Sequence, residues 1–194
     1  MREEGPRLGA RFDAAVQYAL MVHAGQTRKG TSIPYVSHLF AVTALVLEDG
    51  GDEDQAIAAL LHDTAEDQGG KERLADVRAR FGDRVAEIVA GCTDTLESPK
   101  PLWRPRKEAY LERLAGEPAY VLRVSLADKL HNARAMWRDW ERDGIQTFER
   151  FNAGPADQRW YFGALRDIFS AHLEESSLTA PFAALVEWIE RDWR

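Results

Sequence analysis

Apolar residues recur at helical spacing along almost the whole chain, and no run alternates with the two-residue period of a strand. Phe12, Ala15, Val16, Ala19, Leu20 and Val22 define a first helix from about Arg11 to Ala24, closed by Gly25. Ala41, Val42, Leu45 and Val46 define a second, from about Tyr35 to Glu48, broken by Asp49-Gly50-Gly51-Asp52. Asp52 and Gln55 form the sequence signature of a capping box for a third helix. That helix runs through Ala58-Ala59-Leu60-Leu61-His62-Asp63-Thr64-Ala65-Glu66-Asp67 to the break at Gln68-Gly69-Gly70. Shorter helices are expected over about Lys71–Arg80 and Asp83–Cys92. A proline-containing loop follows over Thr93–Pro105, then helices over about Arg104–Ala115 and Ala119–Trp140. The last third predicts a short helix near Gln146–Phe151 and longer ones over about Ala156–Glu174 and Ala180–Trp193. Trp160, Phe162, Phe169, Phe182, Trp188 and Trp193 read as packing residues. The expected fold is therefore all-α, a single helical bundle over residues 1–194, with a core of about 10–140 and C-terminal helices over 145–194.

Composition narrows the function. The chain has 194 residues, 45% of them hydrophobic, enough for one substantial core. Its net charge of −7 argues against general nucleic-acid binding. Cys92 is the sole cysteine, so no intrachain disulfide can form, and a reducing compartment is expected. The N-terminus lacks an apolar signal core, and no stretch approaches a membrane span of roughly 20 apolar residues. A cytoplasmic chain, associated with no membrane, is the expectation; its oligomeric state is not legible.

The third helix ends in four ionisable side chains. His62 and Glu66 are four apart, as are Asp63 and Asp67, so on one continuous helix each pair shares a face. An isolated His-Asp pair is usually a surface or capping feature. Here two further segments of matching chemistry accompany it, Tyr35-Val36-Ser37-His38 upstream and Ser125-Leu126-Ala127-Asp128-Lys129-Leu130-His131-Asn132 downstream. His38, His62, Asp63 and Asp128 then make a nitrogen and oxygen ligand set suited to Mn²⁺, Fe²⁺ or Zn²⁺. Glu66 and Asp67, one turn on, can orient or deprotonate a water or protonate a leaving group. Arg28-Lys29 and Arg106-Lys107 are the cations available to hold an anionic ligand.

His38, His62-Asp63 and Asp128 together resemble the pattern of HD-domain metal-dependent phosphohydrolases. More narrowly, His23–Lys29 with Pro34–His38, then Ala58–Asp67, then Leu126–Asn132 resemble the hydrolase domain of RelA/SpoT alarmone enzymes. The likeness spans roughly residues 10 to 140, and the remaining length suits the small stand-alone alarmone hydrolases of the metazoan SpoT-homologue type. It implies Mn²⁺-dependent removal of the 3′-pyrophosphate from guanosine 3′,5′-bis(diphosphate). By position it implies His38, His62, Asp63 and Asp128 as ligands and Glu66-Asp67 as the catalytic acidic pair. Arg28, Lys29 and Asn132 become nucleotide contacts. Leu39 and Gln68-Gly69-Gly70 depart from the family pattern without removing a ligand, and Thr93–Lys107 does not match the long enzymes, which leaves base selectivity open. The alternatives are another nucleotide substrate (an adenosine alarmone, a nucleoside monophosphate or the 2′-phosphate of NADPH) or a silent nucleotide-binding scaffold.

Overall fold

A computed structural model describes residues 7–97 and 99–193. The elements are α1 (Ala10–Val22), α2 (Val36–Glu48), α3 (Glu53–Leu61), α4 (Thr64–Asp67), α5 (Gly70–Phe81), α6 (Asp83–Cys92), α7 (Trp103–Leu114) and α8 (Ala119–Asp143). A 3₁₀ turn (Gly144–Arg150), α9 (Pro155–His172) and α10 (Thr179–Asp192) complete them. Among the described residues there is no strand, and one isolated bridge pairs Thr27 with Pro34. Among these residues no helix is long and apolar enough to cross a membrane.

The bundle is built around α3, which packs against α1, α2, α6 and α8. Its capping box is present: Asp52 Oδ1 accepts from the Gln55 N–H, and Gln55 Oε1 accepts from the Asp52 N–H, both at 3.0 Å. Every residue from Gln55 to Leu61 is buried, so α3 is enclosed on all sides and fixes what leaves its C-terminus. The expected single helix through His62 and Asp67 is not formed. α3 stops at Leu61, His62 and Asp63 form a turn, and α4 begins at Thr64. Within this turn Thr64 Oγ1 donates to the Leu61 carbonyl at 2.7 Å, one of the local hydroxyl bonds that compete with a helical ladder. His62 and Asp63 thereby leave the helix and point into the bundle.

α8 is the long wall of the site. Gly144 ends it with φ +56°, a conformation that favours glycine. α9 and α10 then fold back on α8, burying Phe162, Phe169, Phe182 and Trp193 as the sequence predicts. Asp49, just past α2, ties this C-terminal layer to the core: its carboxylate accepts from Ser176 Oγ at 2.8 Å, from the Ser177 N–H at 2.7 Å and from Arg123 Nε at 3.0 Å.

Candidate metal centre and nucleotide cavity

Three parts of the chain meet at one point. His38 comes from the first turn of α2, His62 and Asp63 from the α3–α4 turn, and Asp128 from the middle of α8. His62 Nε2 lies 2.9 Å from Asp63 Oδ2 and 3.6 Å from Asp128 Oδ1. His38 Nε2 lies 3.2 Å from Asp128 Oδ1 and 3.6 Å from Asp63 Oδ2. His38, His62 and Asp128 satisfy the spacing of a common cation site on their own.

The surroundings fit a cation. His62 Nδ1 donates to the Ala59 carbonyl at 2.8 Å, so in the neutral ring Nε2 is the nitrogen that carries the lone pair. His38 Nδ1 is 2.7 Å from His131 Nδ1, which leaves Nε2 facing the cluster. Both Nε2 atoms are buried and lack a hydrogen-bond partner. Burial opposes charge on His62, yet the Asp63 and Asp128 carboxylates hold its pKa well above the ordinary histidine value. Burial likewise works against charge on the two aspartates. His62 and His38 nevertheless hold Asp63 well below the usual carboxylate range, and Lys129 with the two histidines does the same for Asp128. A group that draws a proton onto the buried His62 imidazole in this way is one that positive charge completes.

A second layer fixes the carboxylates. Tyr35 donates its hydroxyl to Asp63 Oδ2 at 2.5 Å, and burial together with Asp63 pushes the phenol pKa up, so it stays a donor. Lys129 Nζ donates to Asp128 Oδ2 at 2.6 Å and Asn132 Nδ2 to Asp128 Oδ1 at 2.5 Å. Burial pushes the Lys129 pKa down, but Asp128 outweighs it and keeps the ammonium charged.

The remaining sequence-predicted residues divide by environment. Asp67 lines a cavity of about 920 Å³ beside this cluster. Glu66 does not line it: its Oε2 accepts from the Asp94 N–H at 3.0 Å and its Oε1 from Lys100 Nζ at 2.8 Å. Arg28, Lys29 and Asn132 line the cavity. Arg28 Nη2 donates to Asn132 Oδ1 at 2.8 Å, while Lys29 lies over the Phe151 ring and has no ion pair among the described residues. Lys107 also lines the cavity, with its ammonium 2.7 Å from Asp94. Arg106 turns away from the wall onto the same Asp94.

Other lining residues carried no signal in the local motifs. Arg150 ends the 3₁₀ turn and Phe151 follows it, and Tyr161 and Phe162 come from α9. Arg138 and Arg142 extend the wall along α8, nearly two and nearly three turns past Asn132. Gly30 brings the 25–34 loop against Arg150, where a Cβ would sit 2.7 Å from its side chain. Lys and Arg outnumber the aspartates on this wall seven to two, in a chain of net charge −7.

The HD domain family signature covers residues 15–154. The chain belongs to the HD-domain family. It is 38% identical over 127 residues to a GTP pyrophosphokinase of Streptomyces coelicolor, covering 64% of this chain and 14% of that protein. It is 33% identical over 141 residues to a guanosine-3′,5′-bis(diphosphate) 3′-pyrophosphohydrolase of Xenopus tropicalis, covering 69% of this chain and 76% of that protein. The chain thus spans a small fraction of the long bacterial relative and most of the short metazoan one. A solved structure of a metazoan SpoT orthologue, described as hydrolysing ppGpp, superposes with a TM-score of 0.71 at 25% identity, covering 96% of this chain and 97% of that one. The C-terminal helices are therefore part of the fold shared with that structure.

Proposed function

We propose that this HD-domain chain is a Mn²⁺-dependent phosphohydrolase that removes the 3′-pyrophosphate from guanosine 3′,5′-bis(diphosphate), leaving GDP and pyrophosphate. The observation that carries this reading is the junction of a buried His/Asp cluster with a cation-lined cavity in an acidic chain. A substrate with pyrophosphate at both ends presents one anion to the cluster and a second to the arginines further along the wall. The similarity to the Xenopus and metazoan SpoT proteins supports the same substrate.

His38, His62, Asp63 and Asp128 would hold the ion, their spare nitrogens and oxygens being committed to the partners described above. When bound, it would supply Lewis-acid polarisation of a phosphoryl oxygen and acidify a water. In the reaction a water oxygen bonds to the phosphorus next to the 3′-oxygen, that P–O bond breaks, and the 3′-oxygen takes up a proton. Asp67 faces the cavity and handles the water proton, while Glu66, held by Lys100 and Asp94, stabilises the turn from which Asp67 projects. Arg28 and Lys29 grip the substrate from the 25–34 loop and Asn132 and Lys107 from the helices. Arg106 supports Lys107 through their shared partner Asp94. The lone, buried Cys92 suits action in a reducing cytoplasm.

Product analysis after incubation with guanosine 3′,5′-bis(diphosphate) and Mn²⁺ tests this. Equimolar GDP and pyrophosphate, abolished by chelation, is the expected result. Turnover of adenosine or NADPH substrates in preference, or of none, overturns it.

A further inference from the structure

The cations of the cavity wall differ in what they are bonded to. Arg28 donates to Asn132, Lys107 to Asp94 and Lys129 to Asp128, so these three are committed to partners. Toward the 3₁₀ turn, Arg150 donates to Asp139. Arg142 pairs with Asp143 at 2.6 Å and with Asp139 at 3.2 Å, but its side chain is 63% exposed, where such pairs contribute little. Lys29 and Arg138 have no ion pair or side-chain hydrogen bond among the described residues. Lys29 rests over the Phe151 ring, its ammonium 5.7 Å from the centroid, and the contact of Gly30 with Arg150 holds it at this end of the wall. Lys29, Arg138, Arg142 and Arg150 thus share this end with one lining carboxylate, Asp139.

We propose that this end of the wall is a subsite that counts 5′-phosphates: Lys29 and Arg138 take the second and Arg142 the third, so a 5′-triphosphate is preferred to a 5′-diphosphate. This rests on the phosphohydrolase reading and names its substrate class more finely. The order follows from α8. Arg138 and Arg142 come ten and fourteen residues after Asp128, about 15 and 21 Å further along the axis. Being four apart, they share a face, and long helical side chains lean back toward the N-terminus, here toward the cluster. A nucleotide with its 3′-phosphates at the cluster then lays its 5′-chain along successive turns. Lys29 and Arg138 break no existing pair to receive it, and Arg142 gives up only an exposed one. An arginine fork matches two oxygens of a phosphate at once. Arg150, 17% exposed and held by Asp139, stays behind them as a fixed positive charge.

Steady-state kinetics on guanosine 3′-diphosphates bearing a 5′-mono-, di- or triphosphate test this in the Mn²⁺-loaded enzyme. kcat/KM is expected to rise about 5–10-fold with each added 5′-phosphate, and the rise should flatten at high salt, because cations at an exposed rim are screened. Arg142→Gln should remove the step from di- to triphosphate and keep the step below it; Arg138→Gln should shrink both. A flat series in wild type, or variants that lower all three substrates by one common factor, overturns the proposal. Calorimetric titration with GMP, GDP and GTP, which lack the 3′-diphosphate, reads the subsite apart from hydrolysis. An affinity that climbs along that series and stops climbing in Arg138→Gln supports the subsite even if the 3′-pyrophosphate reading fails. An affinity order that neither Arg138→Gln nor Arg142→Gln alters refutes it even if that reading holds.

Discussion

Asn132 donates its side-chain N–H to Asp128 Oδ1 over 2.5 Å, so a residue that lines the cavity is also attached to the His/Asp cluster. Its oxygen accepts from Arg28, which makes one continuous link from the 25–34 loop to the cluster. Asn132→Ala should therefore weaken Mn²⁺ affinity about 10–100-fold, the usual loss for a residue that orients a metal ligand. Arg28→Ala and Lys29→Ala should each lower kcat/KM by about 1–3 kcal/mol, and Lys29→Ala should leave Mn²⁺ affinity unchanged. Calorimetric metal titration beside steady-state kinetics separates the effects; full Mn²⁺ affinity in Asn132→Ala would show that the link is incidental.

Asp63 contributes the carboxylate nearest to His62 and is held by Tyr35. Asp63→Ala should strip the protein of bound metal and abolish activity while preserving its helical circular dichroism. Stoichiometric metal in that variant, measured by elemental analysis after gel filtration, would remove Asp63 from the ligand set.

Asp67→Asn and Glu66→Gln should both retain metal and lower kcat, by about 10²-fold or more for Asp67. Glu66→Gln leaves Lys100 without its closest carboxylate, so it should also lower thermal stability. Loss of bound metal in either variant would place that residue in direct contact with the ion.

Asp49 predicts a pH dependence of folding. Burial alone would raise its pKa, but donors from Ser177, Ser176 and Arg123 outweigh burial and hold it below the ordinary carboxylate value. A depressed folded-state pKa contributes stability above the unfolded value of about 3.9, and that contribution is lost as pH falls through the folded value. Asp49→Asn should therefore cost about 2–3 kcal/mol at neutral pH, and the difference should shrink from about pH 4 downward. Urea titrations of both proteins across pH 3–7 measure it, and a pH-independent difference would show that the carboxylate charge contributes nothing.

The helices were legible because their signals are local. The capping pair Asp52–Gln55, the break at Phe81-Gly82 and the stop at Gly144 each act within a few residues of where they stand. The His62–Asp63 turn was not, since an unbroken run of helix formers masks a hydroxyl bond from Thr64 that only its burial stabilises. The ligand-type residues were legible from three similar segments. The cation wall was not: Arg150 and Tyr161 reach it from elements whose placement depends on how α9 and α10 fold back over α8. Arg106 and Lys107 were indistinguishable as adjacent cations, and a common partner, Asp94, turns only one of them onto the cavity.

The cluster draws its members from α2, the α3–α4 turn and α8, so no unfolded chain offers the same four ligands together. Ion binding and folding are then two readings of one equilibrium: an ion at a hundred times its dissociation constant adds about 2.7 kcal/mol to the free energy of unfolding. A cell's free supply of that ion would set the lifetime of the protein as well as its turnover, and metal starvation would thin the population of molecules before it slowed those that remain.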